Sequence, residues 1–260
     1  MTMHRLNGGS AAARTGVILA AGFGSRLKGV SSTTSLKPLT SVAGTPLLVR
    51  AIRSLEVAGC ARVVIVIGYG ADNVESQVRR AHRGTAELVF APNSRYDLKN
   101  GVSVLTAAPH VPGEFILMMA DHVVGDEVMS LAGAHRPVPG GATLLVDYKL
   151  DTIFDMDDAT KVLSQGDEIR AIGKQIPDYD CVDTGVFVCT QGLLDSLARV
   201  YAAAGDASLS DGVQALADGG RMRILDIGDG FWQDVDTPEM LAHAERVLAG
   251  DRGMAHAAGF

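Results

Sequence analysis

Three apolar runs, GVILAA from Gly16, RVVIVIG from Arg62 and FILMMA from Phe115, are separated by segments with helical periodicity. Aliphatic runs without polar alternation suit buried strands, and helices between them carry the chain back to start the next strand in the same direction. The order GVILAA, PLLVRAIRSLEVA, RVVIVIG, ADNVESQVRRAH, ELVFAP therefore predicts a parallel sheet wrapped by helices. The helix after Gly44 is marked at both ends. Pro46 suits a first turn, Leu47, Leu48, Ala51, Ile52, Leu55 and Ala58 share a face, and Gly59 can end it. FILMMA runs into Asp121, and HVVGDEVMSLAGAH beyond it is expected to form the next helix.

From Pro137 the texture changes. ATLLVDY is followed by a polar acidic stretch from Asp151 to Asp158 and by short strand-like pieces through CVDTGVFVC. Helical patterns cover Gly192 to Ala204 and Ser210 to Ala217, and a last strand, MRILDIG, leads through FWQDVDT into a helix opened by Thr237 and Pro238, with Glu239 in its first turn. With 260 residues, 47% of them hydrophobic, the chain can bury one large core. The expected fold is α/β, a Rossmann-like, mostly parallel mixed sheet flanked by helices. One domain, 15–250, lies between tails at 1–14 and 251–260, and its second half adds a small lobe and returns a strand to the first sheet.

Charge is unevenly placed. Seven Lys/Arg and no acid precede Glu56 in a chain whose net charge is −7. A positive field confined to one end suits a small polyanion in a site and argues against nucleic acid along a basic face. Cys60, Cys181 and Cys189 show no CxxC spacing and cannot all pair internally, which points to a reducing cytoplasm. No apolar run approaches the roughly 18 residues that span a bilayer, so no membrane segment is expected.

The chemistry gathers at strand ends. LAAGFGSRL from Leu19 places a glycine turn and Arg26 after the first strand, and Lys37 follows in SLKPL. Gly22, Gly24 and Leu27 give GxGxxL, which lacks the third glycine of a dinucleotide fingerprint, and no acid follows about 20 residues on to take a ribose. A nicotinamide-type oxidoreductase is thereby disfavoured. A bare turn would leave Arg26 and Lys37 repelling each other, whereas phosphates between them would not. Asp121 ends an apolar strand, either to cap the segment that follows or to hold Mg2+, which prefers one or two carboxylates with substrate phosphates. Asp234 and Asp236 in DVDT offer the second carboxylate, with capping of the last helix the other reading for Asp236. His122 reads as structural, and no zinc spacing appears.

These residues together resemble the nucleotidyltransferase family that joins an NTP to a phosphorylated small molecule, over residues 16 to 249. Within it, NGVSVL from Asn100, MMADHV, DDATKV from Asp157, IGK ending at Lys174 and CVDTGVFV look most like the CTP:inositol-1-phosphate cytidylyltransferases. The resemblance implies that Leu19, Ala20, Ala21, Gly22, Asn100, Gly101 and Ser103 hold the nucleoside, and Gly24, Ser25 and Arg26 the triphosphate. Lys37 would neutralise the α-phosphate and the attacking phosphate, and Asp121 and Asp236, with Asp234 beside them, would bind Mg2+. Asp158, Lys174, Asp183, Thr184 and Gly185 would meet the acceptor. The nucleotide-binding half then spans about 15–136 and the acceptor-binding half about 137–250. The family usually places proline before its lysine; here Leu36 precedes Lys37 and Pro38 follows, which predicts a more mobile loop.

A phosphate monoester, with a second pKa near 6, needs no protein base at neutral pH. The reaction needs in-line placement of two polyanions and cations to offset their charge. The acidic residues Asp155, Asp157, Asp158 and Asp180 could accept bonds from a polyol or attract the ammonium of 2-aminoethylphosphonate, or form a solvated loop. Phosphocholine is less favoured, because a quaternary ammonium wants an aromatic cage and the chain has one Trp and five Tyr. A sugar 1-phosphate acceptor and a catalytically silent nucleotide-binding sensor remain as alternatives. If the product is CDP-inositol, its consumer is expected to be a membrane CDP-alcohol phosphotransferase on a separate polypeptide.

Overall fold

The structure is a computed structural model that describes residues 14–22 and 36–257, with side chains through residue 250. β1 (Thr15–Ala20) comes first, and a 3-10 turn at Lys37–Leu39 and a small hairpin of β2 (Ser41–Val42) and β3 (Thr45–Pro46) lead into α1 (Leu47–Val57). Then follow β4 (Arg62–Ile67), α2 (Ala71–Ala81), β5 (Glu87–Pro92), α3 (Asn100–Ala107), β6 (Phe115–Met119), β7 (His122–Val124) and α4 (Asp126–Ala134). The second half holds β8 (Ala142–Asp147), β9 (Lys161–Gln165), β10 (Glu168–Gly173), β11 (Cys181–Cys189), α5 (Gln191–Ala204) and α6 (Leu209–Asp218). It closes with β12 (Met222–Asp226), β13 (Trp232–Asp234) and α7 (Pro238–Ala257).

Among the described residues, nine strands join in one sheet in the order β5-β4-β1-β6-β11-β8-β12-β10-β9. The first four are parallel. β11 then runs antiparallel to both β6 and β8, while β12 pairs parallel with β8. The fold is thus the expected mixed α/β sheet, parallel in its first half and mixed in its second. Alternate residues of the apolar runs serve opposite faces. Val17, Val64, Phe115 and Phe187 enter one buried cluster, and Ile18, Ile65, Ile116 and Val186 the other. That two-sided burial is why the runs carry no polar alternation.

α1 buries Leu47, Leu48, Ala51, Ile52 and Leu55, and Gly59 turns the chain at φ +84°. Two expectations are corrected here. HVV after Asp121 does not begin a helix: two β-branched residues and a distant partner strand make it β7, antiparallel to β13. The 3-10 turn that carries Lys37 is anchored, because Leu36 and Leu39 on either side are buried against the core; residues 23–35 before it lie outside the described residues. Among the described residues no helix is long and apolar enough to cross a membrane.

Candidate active site

A cleft of about 380 Å3 opens where β1 and β6 end, the place where an open α/β sheet commonly binds ligands. Its centre is built by the β7–β13 pair. His122 stands opposite Asp234 in that register, and the Val235 N–H donates to the Asp121 carbonyl at 2.9 Å. Asp121 and Asp236, distant in sequence, are thereby set side by side. The Lys37 ammonium donates to both carboxylates. Asp236 does not cap α7; the Thr237 hydroxyl accepts from the Met240 N–H at 3.3 Å instead.

No local pattern places His122 in this cluster, and the sequence alone reads it as structural. Its Nδ1 lies 2.8 Å from the Asp121 carboxylate and its ring stacks on Trp232, with centroids 5.8 Å apart and planes within 11°. The Trp232 indole N–H donates to Asp147 at 2.8 Å, which fixes the stack from behind. Burial disfavours the charged form of each member, yet their mutual attraction wins. The Asp121 carboxyl is held well below the usual range by Lys37 and His122, and the Lys37 and His122 cations are stabilised in turn by the carboxylates. Asp234, whose attraction to His122 does not offset burial and the neighbouring carboxylates, is shifted upward.

Leu19, Ala21, Gly22, Asn100 and Ser103 line one wall of the cleft, joined by Tyr96 and Leu98. The Asn100 side-chain oxygen accepts from the Leu209 N–H at 2.8 Å and the Ser103 hydroxyl accepts from Asn93 at 3.0 Å, so both are pre-positioned. Ala20 and Gly101 are not on this wall. Ala20 points into the core, and a Cβ on Gly101 would lie 2.5 Å from the Ala207 carbonyl oxygen, so that glycine serves helix packing. Gly24, Ser25 and Arg26 lie outside the described residues.

The opposite wall carries Asp155, Asp158, Lys174, Asp183 and Gly185. Lys174 donates to Asp158 at 2.6 Å. The register of β11 against β8 shifts between Asp183 and Phe187, and Gly185 takes φ +77° within that bulge. A bulge re-aims side chains, here leaving Asp183 in the cleft, with the Gly185 N–H donating to it at 2.6 Å. Burial raises the Asp183 carboxyl to about 6, against that hydrogen bond. Three expected residues are not brought here. Thr184 is buried and donates to the Leu145 carbonyl at 2.8 Å, Asp180 accepts from the Ser164 N–H and hydroxyl, and Asp157 is exposed away from the lining.

One carboxylate oxygen each from Asp158, Asp234 and Asp236 lie within 4.8 Å of one another. With Asp121 beside them, the donors are hard oxygens and a cation, the Lys37 ammonium, already bridges two of the four. This donor set fits a divalent metal. Six carboxylates line the cleft, with Lys174, His122 and the adjoining Lys37 the cations beside them among the described residues, and a divalent metal would lessen their repulsion of a bound polyanion.

Residues 16–152 match the MobA-like NTP transferase domain. The chain is 34% identical over 238 residues to the bifunctional IPC transferase and DIPP synthase of Rubrobacter xylanophilus, covering 90% of this chain and 51% of that protein. It thus spans about half the length of that relative. It is 31% identical over 166 residues to the 2-aminoethylphosphonate cytidylyltransferase of Lancefieldella rimae, covering 63% of this chain and 65% of the relative. Among solved structures, the inositol-1-phosphate CTP transferase from T. maritima superposes with a TM-score of 0.77 at 27% identity, covering 90% of this chain and 97% of the other. With a cleft and a lysine–aspartate centre at the strand ends, and a family match over residues 16–152, the chain belongs to the MobA-like NTP transferase domain family of nucleotidyltransferases.

Proposed function

We propose that this chain transfers the cytidylyl group of CTP to inositol 1-phosphate, giving CDP-inositol and pyrophosphate. The observation that carries this reading is the likeness to the T. maritima inositol-1-phosphate CTP transferase over nearly the whole of both chains. A phosphate oxygen of the acceptor attacks the α-phosphorus of CTP, a P–O bond forms there, and the bond to the bridging oxygen breaks so that pyrophosphate leaves with that electron pair. Leu19, Ala21, Gly22, Asn100 and Ser103 would seat the nucleoside, and Arg26 with Gly24 and Ser25 the triphosphate. Lys37 would leave the carboxylates to meet the α-phosphate and the attacking oxygen. Lys174 would hold the acceptor phosphate, with Asp158 and Asp183 accepting from its hydroxyls. Asp121 and Asp236, helped by Asp234, would hold Mg2+, which would offset charge developing on pyrophosphate. No residue need remove a proton, because the acceptor oxygen is already ionised at neutral pH. His122 serves instead to hold Asp121.

The second acceptor worth testing is 2-aminoethylphosphonate, because its ammonium would suit a wall carrying Asp155, Asp158 and Asp183 and a relative bears that name. Pyrophosphate release with Mg2+, for four NTPs against inositol 1-phosphate, 2-aminoethylphosphonate, phosphocholine and glucose 1-phosphate, separates the readings. A dominant signal for CTP with inositol 1-phosphate is expected. A stronger signal with another acceptor discards the inositol assignment and keeps the transferase, and silence throughout with tight CTP binding favours a nucleotide sensor.

A further inference from the structure

Lys161 opens β9 behind the acceptor wall, and only 9% of it is exposed. Among the described residues no carboxylate pairs with it. Its ammonium instead donates to three carbonyls, those of Met156 at 2.7 Å, Lys174 at 3.1 Å and Ala159 at 3.3 Å. An ammonium has three N–H donors, so all are used. A buried cation without an anion is costly, and here that cost is offset by carbonyl dipoles converging on one point and by the Tyr179 ring, whose centroid lies 5.8 Å from the nitrogen. The positions of those carbonyls and of the nitrogen are mutually fixed.

The three carbonyls belong to the segments that form the acceptor wall. Those of Met156 and Ala159 bracket Asp158, and the third is Lys174's own. Along the backbone, Lys161 stands opposite Gly173 of β10 and Val182 of β11, each one residue from Lys174 and Asp183. A single residue thus touches all three stretches that deliver Asp158, Lys174 and Asp183 to the cleft. The Lys174–Asp158 contact at 2.6 Å spans the junction that Lys161 ties from behind. Lys174 itself is half exposed and can turn toward an incoming anion, so its placement depends on how its backbone is held.

We propose that Lys161 is a positioning residue for the acceptor, acting through the backbones of Asp158 and Lys174; this rests on the function proposed above. It touches neither nucleotide nor reacting atoms. The consequence is selective: loss of its ammonium loosens the acceptor wall and leaves the nucleotide wall, built from β1 and α3, in place.

The test uses the full chain with the acceptor that the unmodified protein turns over best. K161M is expected to raise the acceptor KM about tenfold while the CTP KM stays within about twofold. In K161M/K174M the first change should add less than about twofold to the defect of K174M alone, because both act through one contact. If K161M does not accumulate as folded protein, K161R serves. It keeps a buried cation but replaces three radiating N–H bonds with a planar fork, and the same split is expected at about threefold. Acceptor and CTP KM rising together, or fully additive defects in the double variant, overturn the positioning role alone. No turnover by the unmodified protein with any acceptor sinks the function and this role with it.

Discussion

Lys37 lies where a divalent cation would also sit, between the Asp121 and Asp236 carboxylates. Two roles follow from one position. On the proposed function its charge would act at the phosphates, and Lys37→Met should then lower kcat by about 10²-fold or more, the usual scale for removing a preorganised charge from a transition state. Before nucleotide arrives, however, the same ammonium would compete with metal for the carboxylates. The variant should therefore bind Mn2+ more tightly than the unmodified protein in the absence of CTP, by calorimetry or by the loss of the free Mn2+ paramagnetic signal. Lost turnover with weaker Mn2+ binding would mean that Lys37 orders the carboxylates rather than competing for them. Asp121 was legible because a charge at the end of an apolar strand is conspicuous, Lys37 because it and Arg26 are two cations that want an anion between them, and Asp236 because a divalent ion at Asp121 calls for a second carboxylate. His122 was not, since its partner Trp232 is more than a hundred residues away and only the β7–β13 pairing brings the rings together.

Elements with long local patterns could be read from the sequence, and those made by distant partners could not. α1, with its apolar face and terminal glycine, and the runs that became β1, β4 and β6 are specified within their own windows. β7 and β13 have three residues each, too few for a period, and exist because each completes the other. Gly101 shows the same gap inside a helix. A glycine beside Asn100 invites a nucleotide role, but the atoms against it are the Ala207 carbonyl oxygen and Leu197, at 2.5 and 2.8 Å from an added Cβ. Neither the carbonyl nor the buried leucine can give way without moving α3 against α5 and the turn before α6. Gly101→Ala should therefore cost about 1–3 kcal/mol of stability by overpacking, measured as a lowered urea midpoint. Unchanged stability with a raised CTP KM would restore the nucleotide contact.

Across the whole molecule the sheet joins the two halves at its middle, where β6 pairs with β11 through Met118, Leu117, Ile116 and Phe115. Cutting there would expose an edge strand and both apolar faces, so the halves are expected to unfold together. The cysteines report on this. Cys60 lies between α1 and β4, and Cys181 and Cys189 open and close β11, so one sulfur sits in the first half and two in the second. All three are at most 2% exposed. Burial pushes the Cys60 and Cys181 thiols up to about 12 and Cys189 well above its ordinary value. Below the unfolded thiol pKa of about 8.5 both states keep the proton and stability is unaffected. As pH rises above it the unfolded chain ionises first, and stability falls. Alkylation runs through the thiolate, so at pH 8 the native protein should take up no iodoacetamide while the unfolded chain reacts at every cysteine. Brief labelling across a urea series, read by mass spectrometry of peptides, should give Cys60, Cys181 and Cys189 one common midpoint. A lower midpoint for Cys181 and Cys189 than for Cys60 would mean that the sheet parts between β6 and β11, leaving the nucleotide half folded by itself.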